Sequence, residues 1–470
     1  MISKTNIIKL GQISLIPLLI LLLLLHLLLL LNTTFTLWPE MVVYPYLLNN
    51  QFVLYKDIIN PYPPLLTFAL SLFASGFSYH PQAYKVLTLI IVLVIDFLLF
   101  VTTYKIFKSY VLAFLSTAFF VTLSTAFGIN GLWYDLVLTP FILLAFYNYL
   151  DFLKSRKHLS LYTSFFFLII AFLIKQQTIL LMCYFLLLTI KELLNPKKLF
   201  KVFYPLIIFF GLVLILQLFI FFKLNVLGDF IYWTIIFPFF KASASAGYVL
   251  LPTFKQVSVL IALFVISIPS LIAKDLSRKL ILISAFILFA FAYPRFDYFH
   301  LVPALAIISI IIGPTLMDLP KANFAIKLIL AIALIYLSLF SVRYVYSNWQ
   351  QQIRFFEPEI LSAAQLVKTL PDSLLYIQNG PDQILPLTGK LPIKPWADEF
   401  PWYLENSVLQ SRITQGIRNQ KPLFVIYQPY SQGDGYKLGA YRPPEIAAYI
   451  DENYRTTTKI TDNLWLRIKK

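Results

Sequence analysis

The sequence predicts a polytopic α-helical membrane protein that ends in a small soluble α/β or α+β domain. Three observations predict it. Hydrophobic residues make up 59% of the 470 residues and charged residues only 13%, with mean hydropathy +0.77; a soluble domain carries about a quarter charged residues. The hydrophobic residues gather in long runs almost free of charge. After about residue 342 the composition becomes ordinary for a soluble domain. Disordered, collagen-like and disulfide-stapled classes are excluded, since Cys183 is the single cysteine and lies in an apolar run. A cysteine-based zinc site is excluded on the same count.

The apolar runs are 10–31, 86–104, 110–128, 133–153, 159–174, 177–190, 202–222, 256–273, 280–293, 301–316 and 325–341. A twelfth, 64–79, has no charge but is short of the roughly 20 residues a span needs. Charge placement decides its role. Short basic loops occur at Lys105–Lys108, Lys154–His158, Lys191–Lys201, Lys274–Lys279 and Lys321–Lys327. They share one side with Lys4 and Lys9, as the positive-inside rule requires, only if 64–79 does not cross. The expectation is therefore eleven spans, a helix at 64–79 lying on the outer surface, a cytoplasmic N-terminus and an extracytoplasmic tail. The first run reads as an uncleaved signal anchor, because Asn32-Thr33-Thr34 is no small-residue cleavage site.

The net charge of +16 has the same origin. Of 38 Lys and Arg, 23 lie in residues 1–341 against 10 acids, which suits basic cytoplasmic loops and a membrane-lipid partner and needs no nucleic acid. Two outer segments are large, 32–84 and 342–470. The expected domains are accordingly a membrane domain, 1–341, and an extracytoplasmic domain, 342–470. In the tail, periodicity predicts helices at 359–369, 403–419 and 444–454, strands at 373–378 and 422–427, and a hairpin at 455–469. Gly433-Asp434-Gly435 reads as a turn, and no glycine-rich phosphate loop occurs.

The chemistry-bearing residues crowd the expected outer side. Glu40 follows Trp38 and Pro39 just past the first span, where proline suits the start of a short helix. Tyr55-Lys56-Asp57 and Asn60-Pro61-Tyr62-Pro63-Pro64 come next. Trp133-Tyr134-Asp135 heads a later span, and Lys175-Gln176-Gln177 separates two short ones. Tyr293-Pro294-Arg295-Phe296-Asp297-Tyr298-Phe299-His300 precedes Pro303. Asp96, in mid-span, lies too far toward the inner side for outer-face chemistry and is expected to be structural.

In this order and on this common side, these elements resemble the GT-C superfamily of membrane glycosyltransferases. The likeness is to the protein-mannosyltransferase, aminoarabinose-transferase and Rgt-type galacturonosyltransferase branches. It implies a polyprenyl-phosphate sugar as donor and a glycan, lipid or protein as acceptor, on the outer face of a plasma membrane, prokaryotic by expectation. It puts the catalytic acid at Glu40, with Asp57 and Asp135 as second acids. It assigns donor phosphate to Arg295, Lys175 and Lys56, and sugar contacts to Tyr62, Trp133, Tyr293, Tyr298 and His300. This chain departs from the pattern in having a lone Glu where relatives carry an Asp-Glu pair or a lone Asp. No metal-binding acid-x-Asp motif stands here, so neither a divalent metal nor another cofactor is indicated. The required parts agree with such a reaction. A single displacement needs one carboxylate base for the acceptor hydroxyl, and a phosphate leaving group needs cations rather than an acid. Two other functions compete: a transporter or flippase for lipid-linked sugars, and a non-catalytic membrane scaffold. Transporters usually carry internal repeats and midplane polar sites, and here the polar groups gather at one face.

Overall fold

Each of the eleven apolar runs forms a helix. The computed structural model describes residues 4–193, 196–242, 245, 247–272, 275–433 and 439–470. Parts of the basic loops 191–201 and 274–279, and the turn expected at 433–435 beyond Gly433, lie outside the described residues. Eight helices are long and apolar enough to cross a membrane, from Pro81–Phe107 through Phe324–Ser347. Shorter apolar helices cover Ile16–Asn32, Leu65–Phe77 and His158–Ile174. The run at 64–79 becomes the 13-residue helix Leu65–Phe77, about 20 Å long at 1.5 Å per residue and so shorter than a bilayer core. The chain is an integral membrane protein.

By internal contacts the chain forms two compact units. The first comprises residues 1–35, 85–212 and 251–352. Its centre is the helix Val302–Asp318, buried along Val302–Thr315. That helix is apolar on every side, as a helix enclosed by others must be. At Gly313 it meets the helix Tyr110–Ser124 backbone to backbone. A Cβ there would stand 2.3 Å from the Leu112 carbonyl oxygen and 2.7 Å from Ser116 Oγ. Ser116 Oγ donates to the Ile310 carbonyl at 3.1 Å and accepts from Gly313 N–H at 3.1 Å. Small residues allow this close approach between apolar helices. Gly313→Ala should therefore force them apart, with the cost of an overpacked core, about 1–3 kcal/mol. A lowered melting temperature of the detergent-solubilised protein would register it, and an unchanged one would mean the crossing relaxes freely. Deeper in the same unit, Asp96 is fully buried, with Oδ2 2.7 Å from His26 Nδ1. Ser124 Oγ lies 3.2 Å from His26 Nε2. This partnering ties three helices and fits a structural role for Asp96.

The second unit comprises residues 36–84, 213–250 and 353–470. Its five-stranded sheet has the order Leu391–Pro392, Leu374–Gln378, Phe424–Tyr427, Trp465–Lys469, Tyr454–Lys459. The first three strands run parallel, and the last two form an antiparallel hairpin. Helices Pro358–Lys368 and Pro444–Asn453 stand where periodicity expects them, whereas the helix expected at 403–419 is split into Pro401–Leu404 and Ser407–Gln420, because the Asn406 side chain accepts from Val408 and Leu409 N–H and starts a new helix. Contacts do not cut the chain at residue 341. The first outer loop, the tail and the segment 213–250 share one core that includes Tyr55, Trp233, Phe237, Tyr403 and Ile426. Trp233 and Phe237 lie on the segment Leu227–Lys241, which winds into a widened, π-type helix from Tyr232 onward. Backbone bonds add to the joint: Trp396 N–H donates to the Asp57 carbonyl at 2.8 Å, and Ile59 N–H to the Trp396 carbonyl at 3.1 Å. Each large apolar side chain buried there stabilises by about 1.5–3 kcal/mol, so loop and tail are held as one body.

Candidate active site

In the second unit, Glu40 opens the helix Glu40–Asn49. Pro39 stands immediately before it with helical φ and ψ, so the chain enters the helix without a side-chain cap and the first-turn position falls to an acid. The carboxyl group is buried, and Oε2 has no hydrogen-bond partner among the described residues. Burial pushes its pKa from 4.5 up to about 7, against a smaller lowering by a backbone hydrogen bond.

Two further acids, Asp398 and Asp382, feel the Glu40 charge, and a third, Glu399, neighbours Asp382; none of them stands out in the sequence. Tyr44 lies one turn along from Glu40, hence on the same helix face. Its hydroxyl donates to Asp398 Oδ2 at 2.5 Å. Burial first, then the Glu40 and Asp382 charges, hold Asp398 well above the usual carboxylate range. Burial and the neighbouring Glu399 charge do the same to Asp382, opposed by a bond from the Trp396 side chain. Glu399 accepts from the Tyr376 hydroxyl at 3.0 Å and from the Asn379 N–H, and burial raises it to about 7. All three have hydrogen-bond donors placed for them, whereas Glu40 presents an oxygen with none. A carboxylate in that state is a strong acceptor for an incoming hydroxyl. Among the described residues no group of three or more His, Cys, Asp or Glu side chains is disposed to hold a metal ion.

Asp57 is engaged elsewhere in the same unit. Its Oδ2 accepts from Val53 N–H at 3.0 Å and pairs with Lys394 Nζ at 3.1 Å. It shapes the turn that carries the Trp396 contact. Lys56 is exposed, and its carbonyl accepts from Arg412 Nη2 at 3.2 Å. Tyr62 is half-buried; its N–H donates to Asn60 Oδ1 at 3.0 Å and its carbonyl accepts from the Tyr55 hydroxyl at 3.0 Å.

In the first unit three of the expected residues meet. Lys175 ends the helix His158–Ile174, and Asp135 lies in the first turn of Tyr134–Ser155. Nζ of Lys175 donates to Oδ1 and Oδ2 of Asp135 at 2.8 and 2.7 Å. His300 Nδ1 lies 2.7 Å from Asp135 Oδ2. Asp135 and Lys175 are essentially inaccessible, at 0% and 2% exposure. Asp135 does not cap its helix, which starts at Trp133 without a side-chain cap bond. A charge in this apolar setting requires a partner, and the triad supplies it. Around it, Trp133 packs edge-on to Phe299 with ring centres 5.8 Å apart. Tyr298 packs against Phe127 and Phe340, 5.0 and 5.4 Å away. Tyr293 is 60% exposed, and its carbonyl accepts from Gln177 Nε2 at 2.8 Å. Arg295 is half-buried in the same short stretch.

No known protein family matches this sequence. No curated protein matches it by sequence either. Solved structures do match it in fold. ArnT from Cupriavidus metallidurans in the apo state superposes with a TM-score of 0.61 at 11% identity, over 97% of this chain and 98% of that one. The same protein bound to undecaprenyl phosphate gives 0.59 at 10% identity, over 99% and 98%. The archaeal oligosaccharyltransferase AglB from Archaeoglobus fulgidus, in complex with an inhibitory peptide and a dolichol-phosphate, gives 0.50 at 11% identity, over 95% and 73%. In fold, over nearly its whole length, the chain is thus similar to ArnT, and with a lower TM-score to the oligosaccharyltransferase AglB.

Proposed function

We propose that the protein is an inverting glycosyltransferase that moves a sugar from a polyprenyl-phosphate donor to an acceptor hydroxyl on the outer face of the membrane. The observation that carries the reading is the buried Glu40 carboxyl, with one oxygen, Oε2, left without a hydrogen-bond partner among the described residues and its pKa raised to about 7, in a chain whose fold is similar to proteins solved with undecaprenyl phosphate and dolichol-phosphate. The acceptor oxygen attacks the anomeric carbon, the bond from that carbon to the phosphate oxygen breaks, and polyprenyl phosphate departs. Glu40 takes the hydroxyl proton. A base with a pKa near the working pH is efficient, because it is ionised for much of the time yet still basic.

In the first unit we assign the donor phosphate to Arg295, whose guanidinium suits bidentate contact with phosphate oxygens. Lys175 is already engaged by Asp135, so it acts through that pair, with His300, as a positioning residue. Asp57 and Lys56 act in the same indirect way. Tyr62, Trp133, Tyr293 and Tyr298 are assigned to the sugar and its surroundings. The topology we propose has eleven spans, the N-terminus in the cytoplasm and the first outer loop and the tail outside, in a prokaryotic plasma membrane. Purified protein, given a panel of polyprenyl-phosphate sugars, should release polyprenyl phosphate and transfer the sugar to an added alcohol. Well-folded protein that neither binds nor turns over any donor would return weight to the transporter or scaffold functions.

A further inference from the structure

A second polar feature of the second unit lies outside the carboxyl cluster. The helix Ser407–Gln420 and the segment at Lys394-Pro395 enclose an open groove of about 670 Å³. Its walls are built rather than incidental. Gln420 bonds the Lys394 backbone twice, donating to its carbonyl at 2.8 Å and accepting from its N–H at 3.1 Å. Gly416 lets the two come together, since a Cβ there would stand 2.4 Å from the Lys394 carbonyl oxygen. Lys394 Nζ is held by the Gln51 carbonyl at 2.9 Å and by Asp57, and lies over the Phe52 ring.

The helix shows this groove a ladder of hydroxyls and amides. Ser407, Ser411, Gln415 and Asn419 recur every four residues, about 6 Å apart along the axis. Gln415 Nε2 donates to Asn419 Oδ1 at 2.8 Å, which leaves the Gln415 carbonyl oxygen and the Asn419 amide protons for another molecule. At the rim Ser411 donates to Glu445 Oε2 at 2.7 Å. Arg412 commits one donor to Lys56 out of five. Lys394 and Arg412 are the charged residues that line the groove.

We propose that this groove binds an anionic oligosaccharide stretch of the acceptor. A polyol needs donors and acceptors side by side, which amides and hydroxyls supply, and carboxylate or phosphate substituents need a cation, which the remaining donors of Arg412 supply. Four turns of helix give room for several sugar units. An acidic peptide fits less well, because the walls offer neither a strand edge nor an apolar anchor pocket. The proposal rests on the transferase reading and extends it. Asp398 follows Lys394 by four residues, at most about 14 Å of chain. One end of the groove's wall thus lies within that distance of Asp398.

The test uses the full-length protein in nanodiscs, titrated calorimetrically with an oligo-uronate, an uncharged oligosaccharide of equal length and an oligoglutamate peptide. The oligo-uronate should bind best, and Arg412→Gln and Gln415→Ala should each weaken it by about tenfold or more, the loss of one charge-assisted or paired contact. Donor turnover with a short alcohol as acceptor should be unchanged in Gln415→Ala. Wild-type protein that turns over donor but binds no oligo-uronate would overturn the groove assignment alone. Equal binding of the uncharged sugar would remove the charge requirement, and preference for oligoglutamate would make the ligand a peptide. Oligo-uronate binding that is lost in the variants, in protein that never turns over donor, would uphold the groove and sink the transferase.

Discussion

Glu40→Gln should abolish sugar transfer while the protein still folds and binds donor. Loss of a general base costs about 10²–10⁴-fold in rate. The pH profile of the wild type should carry the same signature. Burial raises the Glu40 pKa to about 7, so kcat/KM should climb with unit slope through the acid range and level off above about pH 7. The linkage runs the other way for stability. The folded state holds the proton more tightly than the unfolded state, so the contribution is fully present below pH 4.5 and is lost as pH rises through about 7. The substituted amide cannot ionise and avoids this loss. The variant should melt no lower than wild type at alkaline pH, which separates a chemical defect from an unfolded protein. Full transfer activity in Glu40→Gln, or a rate flat across neutrality, would remove Glu40 as the base.

The largest stability effect is expected at Lys175. Lys175→Met leaves the Asp135 carboxylate fully buried with only His300 beside it. Breaking one side of a buried ion pair typically costs about 3–5 kcal/mol. Asp135→Leu should be comparably harmful, since it strands the ammonium. The double variant Asp135→Leu, Lys175→Met removes both charges and should recover most of the loss, because apolar replacement of a whole buried pair is often neutral. Thermal melting of the four proteins gives the coupling directly. Additive losses would show that the two groups do not depend on each other. Recovered stability with transfer still depressed would mark the pair as positioning the reaction and not merely as holding the helices.

The helical architecture was legible because lipid imposes a strong code. Runs such as 86–104 and 301–316 admit no other structure, and the tail's strands and helices follow from alternation and periodicity. Within the site, Asp135, Lys175 and His300 each stand out as head, break and foot of apolar helices, where a charge needs a reason. Their mutual bonding was not legible, because nothing local links Lys175 to His300 across 125 positions. Lys175 reads as a phosphate ligand in sequence and is an ion-pair partner in the structure. Asp57 reads as a second acid and instead holds Lys394. Asp382, Asp398 and Glu399 were missed altogether. They sit in a tail of ordinary charge content, where acids carry no anomaly. The one sequence mark of Asp398 and Glu399 was the aromatic and proline setting of Trp396-Ala397-Asp398-Glu399-Phe400-Pro401-Trp402.

The shared core of the outer loop and the tail has a consequence for biosynthesis. Residues 36–84 leave the ribosome early, yet the strands and helices that bury their aromatic faces come about 300 residues later, on the order of 15–60 s of translation at 5–20 residues per second. During that interval Tyr55 has at most the rings of Phe221 and Phe230 to cover it, and the segment is exposed to proteolysis and wrong pairing. Closure across so long a separation is slow for entropic reasons. The Glu40 carboxyl likewise acquires its dry surroundings only when Asp398 arrives. A chain cut short before the tail would thus hold Glu40 with the acidity of any surface glutamate, and under the proposed function it would gain transfer activity only once the tail is made.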